Sequence, residues 1–321
     1  NRLIGTAGKT WQGFADFPPK LVSEYAVKVY GSGHVVAYNS IKNFHDGVDH
    51  ATYGNPDGTP DPVRERFPMS IDFYNNDVST VDDNCIEADG AARNIRVFRN
   101  RCFNQGHRAL SAQPVFGGPV YFIRNLVYHA PEGGALKTSS TPAGLVLYHN
   151  TLIAPVRWFL GASSNLQFRN NLILGRAETP ELFAVDTFTN YSTSDYNGFR
   201  PNEDADYSFE WSSPPLKVLA DYEGKHETRR FKTLDAYRAA TGQDAHSRLV
   251  DYDVFVKVAA PDRSDPRRLY RPEDLDFRLR PGSKAVDAGV RLSNINDDQT
   301  GRAPDLGAYE LDRPLPHYGP R

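Results

Sequence analysis

The chain has 321 residues, 37 of them basic and 40 acidic, with a formal net charge of -3. That length can bury a core without covalent staples, and the near-balanced charge gives no reason to expect nucleic acid or an anionic membrane as partner. No apolar run reaches the ~18 residues of a membrane span, and Cys85 and Cys102 lack metal-ligand spacing.

The chain begins at Asn1 without a signal peptide. The expectation is a mature secreted or periplasmic protein, or a piece of something longer. Residues 1–25 contain no amphipathic helix to cap a stack of coils, so they are expected to continue an upstream segment.

Residues 26–176 carry a repeat. Asn39, Asn76, Asn100, Asn125, Asn150 and Asn171 each precede an apolar residue by two positions and follow a strand-like run such as HVVAY, IRVFR or LVLYH. Their intervals are 37, 24, 25, 25 and 21 residues. β-Branched and aromatic runs at that period indicate stacked coils, with strands pairing in parallel about 4.8 Å apart. The fold expected is all-β, a right-handed parallel β-helix with the Asn residues laddered at one corner as scaffold. The long first interval falls at residues 52–68, a Pro/Gly-rich stretch that reads as an extruded loop walling a groove.

A second strand follows each Asn: VDHAT, CIEAD, ALSAQ, ALKTS and FLGAS. Overlaid, with AVKVY from the preceding coil, they place Val27, Val48, Ile86, Leu110, Leu136 and Leu160 in one apolar row. Alternation then turns Lys28, Asp49, Glu87, Ser111, Lys137 and Gly161 outward, with Tyr30, Ala51, Asp89, Gln113, Ser139 and Ser163 as the next outward row. The same register sets Cys85 and Cys102 on different faces of adjacent coils, so no disulfide is expected.

Asp49 stacked on Glu87 at roughly 5 Å, with Asp89 two residues along, is unusual, because stacked strands avoid opposed like charges. The preceding turns add Asp46, Asp82, Asp83, His107 and Arg108. A solvated acidic face, a Ca²⁺ site on Asp49, Glu87 and Asp89, and a catalytic carboxylate cluster all fit. The third is favoured: close acids split their pKa values, giving a protonated acid beside an ionised partner, as glycoside hydrolysis requires. The catalytic candidates are Glu87, Asp89, Asp49, Asp83 and His107. Lys28, Tyr30, His50, Arg64, Arg108, Gln113, Lys137 and Trp158 are candidates for substrate binding, with Tyr53, Phe159 and Arg66 as further groove residues.

After Arg176 the repeat fades, with one further strand expected within residues 192–199. Thr233 to Gly242 reads as a capped helix. Residues 177–321 are expected to be C-terminal coils and an irregular extension closing the last coil.

The coils, the Asn ladder and the acidic row together resemble the pectin-lyase-like superfamily of right-handed parallel β-helices. The resemblance covers about residues 26–175, and the segment GSKAVDAGV…DLGAYE is similar to a closing segment of bacterial β-helix repeat proteins. VDH (48–50), DDNCIEADG (82–90) and QGH (105–107) echo the order of acids and His in polygalacturonase-like hydrolases. The lyase branch implies Lys or Arg as base with Ca²⁺ on nearby acids; Lys28, Lys137 and Arg108 beside Glu87 and Asp89 fit that pattern. The expectation is a secreted polysaccharide-active enzyme, a glycoside hydrolase. A polysaccharide lyase and a non-catalytic carbohydrate-binding or adhesive β-helix are the alternatives.

Overall fold

The computed structural model describes residues 1–7, 23–50, 67–175, 181–202, 205–215 and 225–321. Three parallel sheets run the length of a β-solenoid of about 7 turns. The first, of nine strands, starts at Arg2–Ile4 and Ser40–Lys42 and ends at Gly198–Arg200 and Arg248–Leu249. The second runs from Tyr25–Lys28 through Asp46–Asp49, Asn84–Glu87, Arg108–Ala112, Gly134–Ser139, Val156–Leu160 and Phe183–Asp186 to Phe209–Ser213. The third contains seven strands, from Val35–Ala37 to Thr193–Asp195.

Each coil turns from the third sheet into the first at a ladder Asn. The residue just before it is left-handed in every coil: Tyr38, Asn75, Arg99, Arg124, His149, Asn170 and Tyr196 have φ between 53 and 57°. A non-glycine residue held there costs roughly 1–2 kcal/mol. The ladder offsets that cost. Asn100 Nδ2 donates to Asn125 Oδ1 at 3.1 Å and to the Phe73 carbonyl at 2.9 Å, while Asn100 Oδ1 accepts from Asn76 N and Nδ2 at 3.1 and 3.0 Å. All three ladder residues are buried, so each bond forms out of competition with water.

The ladder is longer than the repeat suggested. Asn1 Nδ2 donates to Asn39 Oδ1 at 3.0 Å, and Asn171 Nδ2 donates to Asn197 Oδ1 at 2.9 Å. The coils therefore continue beyond Arg176, and Gly198–Arg200 pairs in parallel with Leu172–Leu174.

Within the second sheet the register from Lys28 to Lys137 is as expected: Lys28 pairs with Asp49, Asp49 with Glu87, Glu87 with Ser111, and Ser111 with Lys137. It then slips. A bulge between Leu136 and Lys137 pairs Leu136 with Val156, Lys137 with Trp158 and Ser139 with Leu160. Val156 thus takes the core position, Leu160 is 57% exposed, and Gly161 is not beside Lys137. Phe159 packs against the core instead of lining a groove.

The expectation of unpaired cysteines is also wrong. Cys85 and Cys102 form a disulfide with Cα atoms 6.0 Å apart. Cys85 and Ile86 are successive residues, yet both belong to the apolar core, as do Ala109 and Leu110, and Ala135 and Leu136. The strands bend at this row, so two consecutive side chains turn inward and strict alternation fails. In the second coil the bend is filled by Gly47, where a Cβ would lie 2.3 Å from the Cys85 carbonyl oxygen and 2.9 Å from Val78 Cγ1.

The expected helix is present as Leu234–Thr241. Thr233 accepts from the Ala236 N–H at 3.2 Å, and Gly242 closes it with φ 71°. Its Tyr237 packs on Phe209 and Phe183, and the antiparallel strand Glu227–Phe231 pairs with Phe209–Ser213, closing the last coil. The rest of the C-terminal segment behaves differently from the expectation. It runs back along the outside of the first sheet, where Val254, Phe255, Phe277, Leu279 and Leu306 join Phe103, Tyr128 and Leu172 in a second apolar cluster. It ends near the early coils, with Gly319 N donating to the Asn75 carbonyl at 2.9 Å.

Candidate functional site

The acidic row alternates with the core row Val48–Ile86–Leu110–Leu136 and so points away from it. It was expected to be solvated and is not: Asp49, Glu87, Asp89, Ser111 and Lys137 are all buried. The side chains pair with one another. Lys28 Nζ lies 2.6 Å from Asp49 Oδ2 and 3.9 Å from the centre of the Tyr25 ring. Ser111 Oγ and Gln113 N both donate to Asp89 Oδ1, at 2.5 and 2.9 Å.

The turn before these strands completes the cluster. Arg108 N donates to the Asp83 carbonyl and Gly134 N to the His107 carbonyl, which stacks the turns of successive coils. Asp83 thereby meets His107 Nδ1 at 3.5 Å and Lys137 Nζ at 3.6 Å. His45 lies 3.3 Å from Asp82 and 3.8 Å from Asp46, and Asn84 N donates to Asp46 Oδ1 at 3.1 Å. Asp46, Asp83 and Glu87 each bring one carboxylate oxygen within 4.8 Å of the others.

These surroundings push the acids apart. Burial raises the Glu87 carboxyl well above the usual glutamate range, and Asp46, Asp89 and Asp49 raise it further, against a pull from Lys137. Burial likewise raises Asp46, against His45, and pushes Asp89 up to about 7, against Lys137 and the Ser111 hydrogen bond. Asp83 goes the other way. Its burial is outweighed by the His107 hydrogen bond, Lys137 and His45, which hold it below the usual aspartate range. Burial also lowers the Arg108 guanidinium to about 10. Arg108 Nη1 contacts the His107 ring.

The remaining candidates divide. Tyr30, 49% exposed, lies beside Lys28 at 6.0 Å from ring centre to Nζ. His50, expected to bind substrate, is instead fully buried, 5.6 Å from the Phe73 ring. Its inward slot belongs to the core, as it does for Ala88 and Ala112. Trp158 sits on the strand beside Lys137, its backbone in register. Arg64, Tyr53, Arg66 and nearly all of the expected loop at residues 52–68 lie outside the described residues.

The expected cation set also changes. Asp49 is held by Lys28, and Asp89 by Ser111 and Gln113. Two groups of potential ligands share Asp46 among the described residues: Asp46 with Asp83 and Glu87, and Asp46 with Glu24 and His45. The three carboxylate oxygens of the first group suit a hard cation, though Ca²⁺ takes 6–8 ligands. The sequence pattern gave no role to His45 and counted Asp46 only as an acid added by the preceding turn. The signal was available, because both occupy the turn that supplies Asp83 and His107 on the next two coils.

A scan of protein-family models and a search of curated proteins each returned no match for this chain.

Proposed function

We propose that the chain is a secreted polysaccharide-active enzyme, a glycoside hydrolase, with Glu87 as general acid and Asp83 as its ionised partner. One observation carries the reading: two carboxylates with oxygens within 4.8 Å of each other are driven in opposite directions by their surroundings. Pairs of titratable groups pushed apart in this way mark acid and base roles. Glu87 keeps its proton for the leaving oxygen. Asp83, held ionised by His107 and Lys137, attacks the anomeric carbon. The spacing is nearer the ~5–5.5 Å of retaining enzymes than the ~6.5–9.5 Å of inverting ones. Lys28, Tyr30 and Gln113 border the cluster and would contact the sugar. A secreted location accords with the Cys85–Cys102 disulfide.

The lyase reading has one observation in its favour, the depressed Arg108 guanidinium beside His107. There Arg108 would abstract the proton α to a uronate carboxylate, and Asp46, Asp83 and Glu87 would hold a Ca²⁺ ion that neutralises that carboxylate. A panel of polysaccharides separates the readings. New reducing ends without ultraviolet-absorbing products support hydrolysis. Unsaturated products and inhibition by a chelator support elimination. Saccharide binding without cleavage would leave a non-catalytic binding module.

A further inference from the structure

Away from the acidic row, the C-terminal segment meets the ladder corner and encloses a cavity of about 380 Å³, within the ~300–1,000 Å³ of small-molecule sites. Arg99, Arg124, Arg313 and Arg321 line it, against only two acids, Asp298 and Glu310. Arg99 and Arg124 occupy the same left-handed position on adjacent coils, which aims both guanidiniums the same way. They share one carboxylate: Asp298 is 3.2 Å from Arg124 and 3.9 Å from Arg99. Arg313 is exposed and has no ion-pair partner among the described residues.

The cationic excess is built in. The Arg124 side chain is 7% exposed, and its guanidinium is lowered by burial and by the Arg99 charge. Glu310 is pushed up to about 7, mainly by burial, so it is only partly ionised near neutral pH. Beside the arginines runs a ring surface. Tyr74 stacks on Phe98 at 4.8 Å and meets Tyr38 edge-on at 5.5 Å. A second hollow of about 280 Å³ over Phe98 and Ile123 shares Arg99 and Arg124 with the first.

The geometry points to a second saccharide site at this corner, one that holds a carboxylate-bearing oligosaccharide through Arg99, Arg124 and Arg313 while its sugar rings lie in the adjoining hollow against Phe98 and Ile123. Guanidinium forks match carboxylates in a bidentate way, and aromatic faces suit the apolar faces of sugars. The ligand class rests on reading the chain as saccharide-active. The function is to retain an acidic polymer on the enzyme, apart from the carboxylates that would cleave it.

The test is calorimetric titration of tetragalacturonate into the full chain carrying Glu87→Gln, so that no turnover occurs. Neutral galactotetraose and inorganic sulfate serve as controls. Saturable binding of the uronate alone is expected, weakened about tenfold or more by Arg99→Ala with Arg313→Ala, at one half-buried and one exposed position. Circular dichroism checks that the double variant keeps its fold. Unchanged binding in the folded double variant, equal binding of the neutral sugar, equally tight sulfate, or no uronate binding would each overturn the site. If uronate binds through these arginines and no polysaccharide is cleaved, this site stands and the hydrolase reading falls. If cleavage occurs and the arginine variants bind normally, the reverse holds.

Discussion

Asp83 and Glu87 are four residues apart on one turn and strand, yet His107 and Lys137 lower the first carboxyl's pKa while burial raises the second's. The two coils that follow supply this difference, since His107 and Lys137 lie one and two coils further on. A solenoid builds such a site by stacking, with each coil contributing one or two groups.

Glu87→Gln should keep the fold and lower turnover on the cleaved polysaccharide by a factor of about 10² or more, since acid catalysis typically contributes 10²–10⁴. Asp83→Asn should lower it at least as much. Reducing-end release measures both. If Glu87→Gln retains near-native turnover, the hydrolase assignment is wrong.

Asp89 sets a pH dependence of stability. Its folded pKa is raised to about 7 from the ordinary aspartate value of 3.8, so the folded chain holds this proton more tightly than the unfolded chain. Its contribution is therefore intact below about pH 4 and is lost as pH rises toward about 7. Asp89→Asn keeps an acceptor for Ser111 and Gln113 and removes that loss. Relative to the native chain, its unfolding free energy should rise from pH 4 to pH 8 by an amount on the order of a few kcal/mol, with a higher Tm. A constant Tm difference across that range would exclude the raised pKa.

Replacing Cys85 and Cys102 with Ala should lower stability by about 3 kcal/mol, the loop-entropy value for a closure near 15 residues; the separation here is 17. Denaturant midpoints would show it. Because both side chains face the core, the solenoid itself should persist.

Asn100→Ala removes a donor and an acceptor at once, leaving the Asn76 and Asn125 amide groups and the Phe73 carbonyl short of partners. At ~0.5–1.5 kcal/mol net for each of these four hydrogen bonds, the loss should be about 2–6 kcal/mol. Asn39→Ala, near the first coil, should cost less. Equal losses at both positions would mean that the ladder bonds do not depend on enclosure by neighbouring coils.

The repeat and the acidic row were legible because each rests on one period. Asn at the corner and alternation along Asp46–Asp49 and Asn84–Glu87 give the register directly. What was missed lies where the period breaks. The inward bend at Cys85 adds a second core residue and hides the disulfide. The bulge after Leu136 moves Val156, not Leu160, into the core. Asn197 was overlooked although Tyr196–Asn197 repeats the form of Tyr38–Asn39, because the run before it, STSDY, carries no aliphatic residue. Burial of the acidic row depends on lysines and a serine from other coils closing over it, which no single-strand pattern encodes. The chemistry of the site was legible only as a cluster of acids; Asp83's separate role appears once His107 and Lys137 are placed around it.

A stack of coils in which each touches only its neighbours can unravel from either end, one unit at a time. The returning C-terminal segment changes that. It joins Asn170 to Val290, Thr151 to Ala308 and Asn75 to His317, the last across 242 residues of sequence. Late and early coils are thereby tied by one strap, and fraying at one end must release contacts at the other. Unfolding should accordingly be a single cooperative transition, with slow refolding set by the long loop that closes when the strap docks.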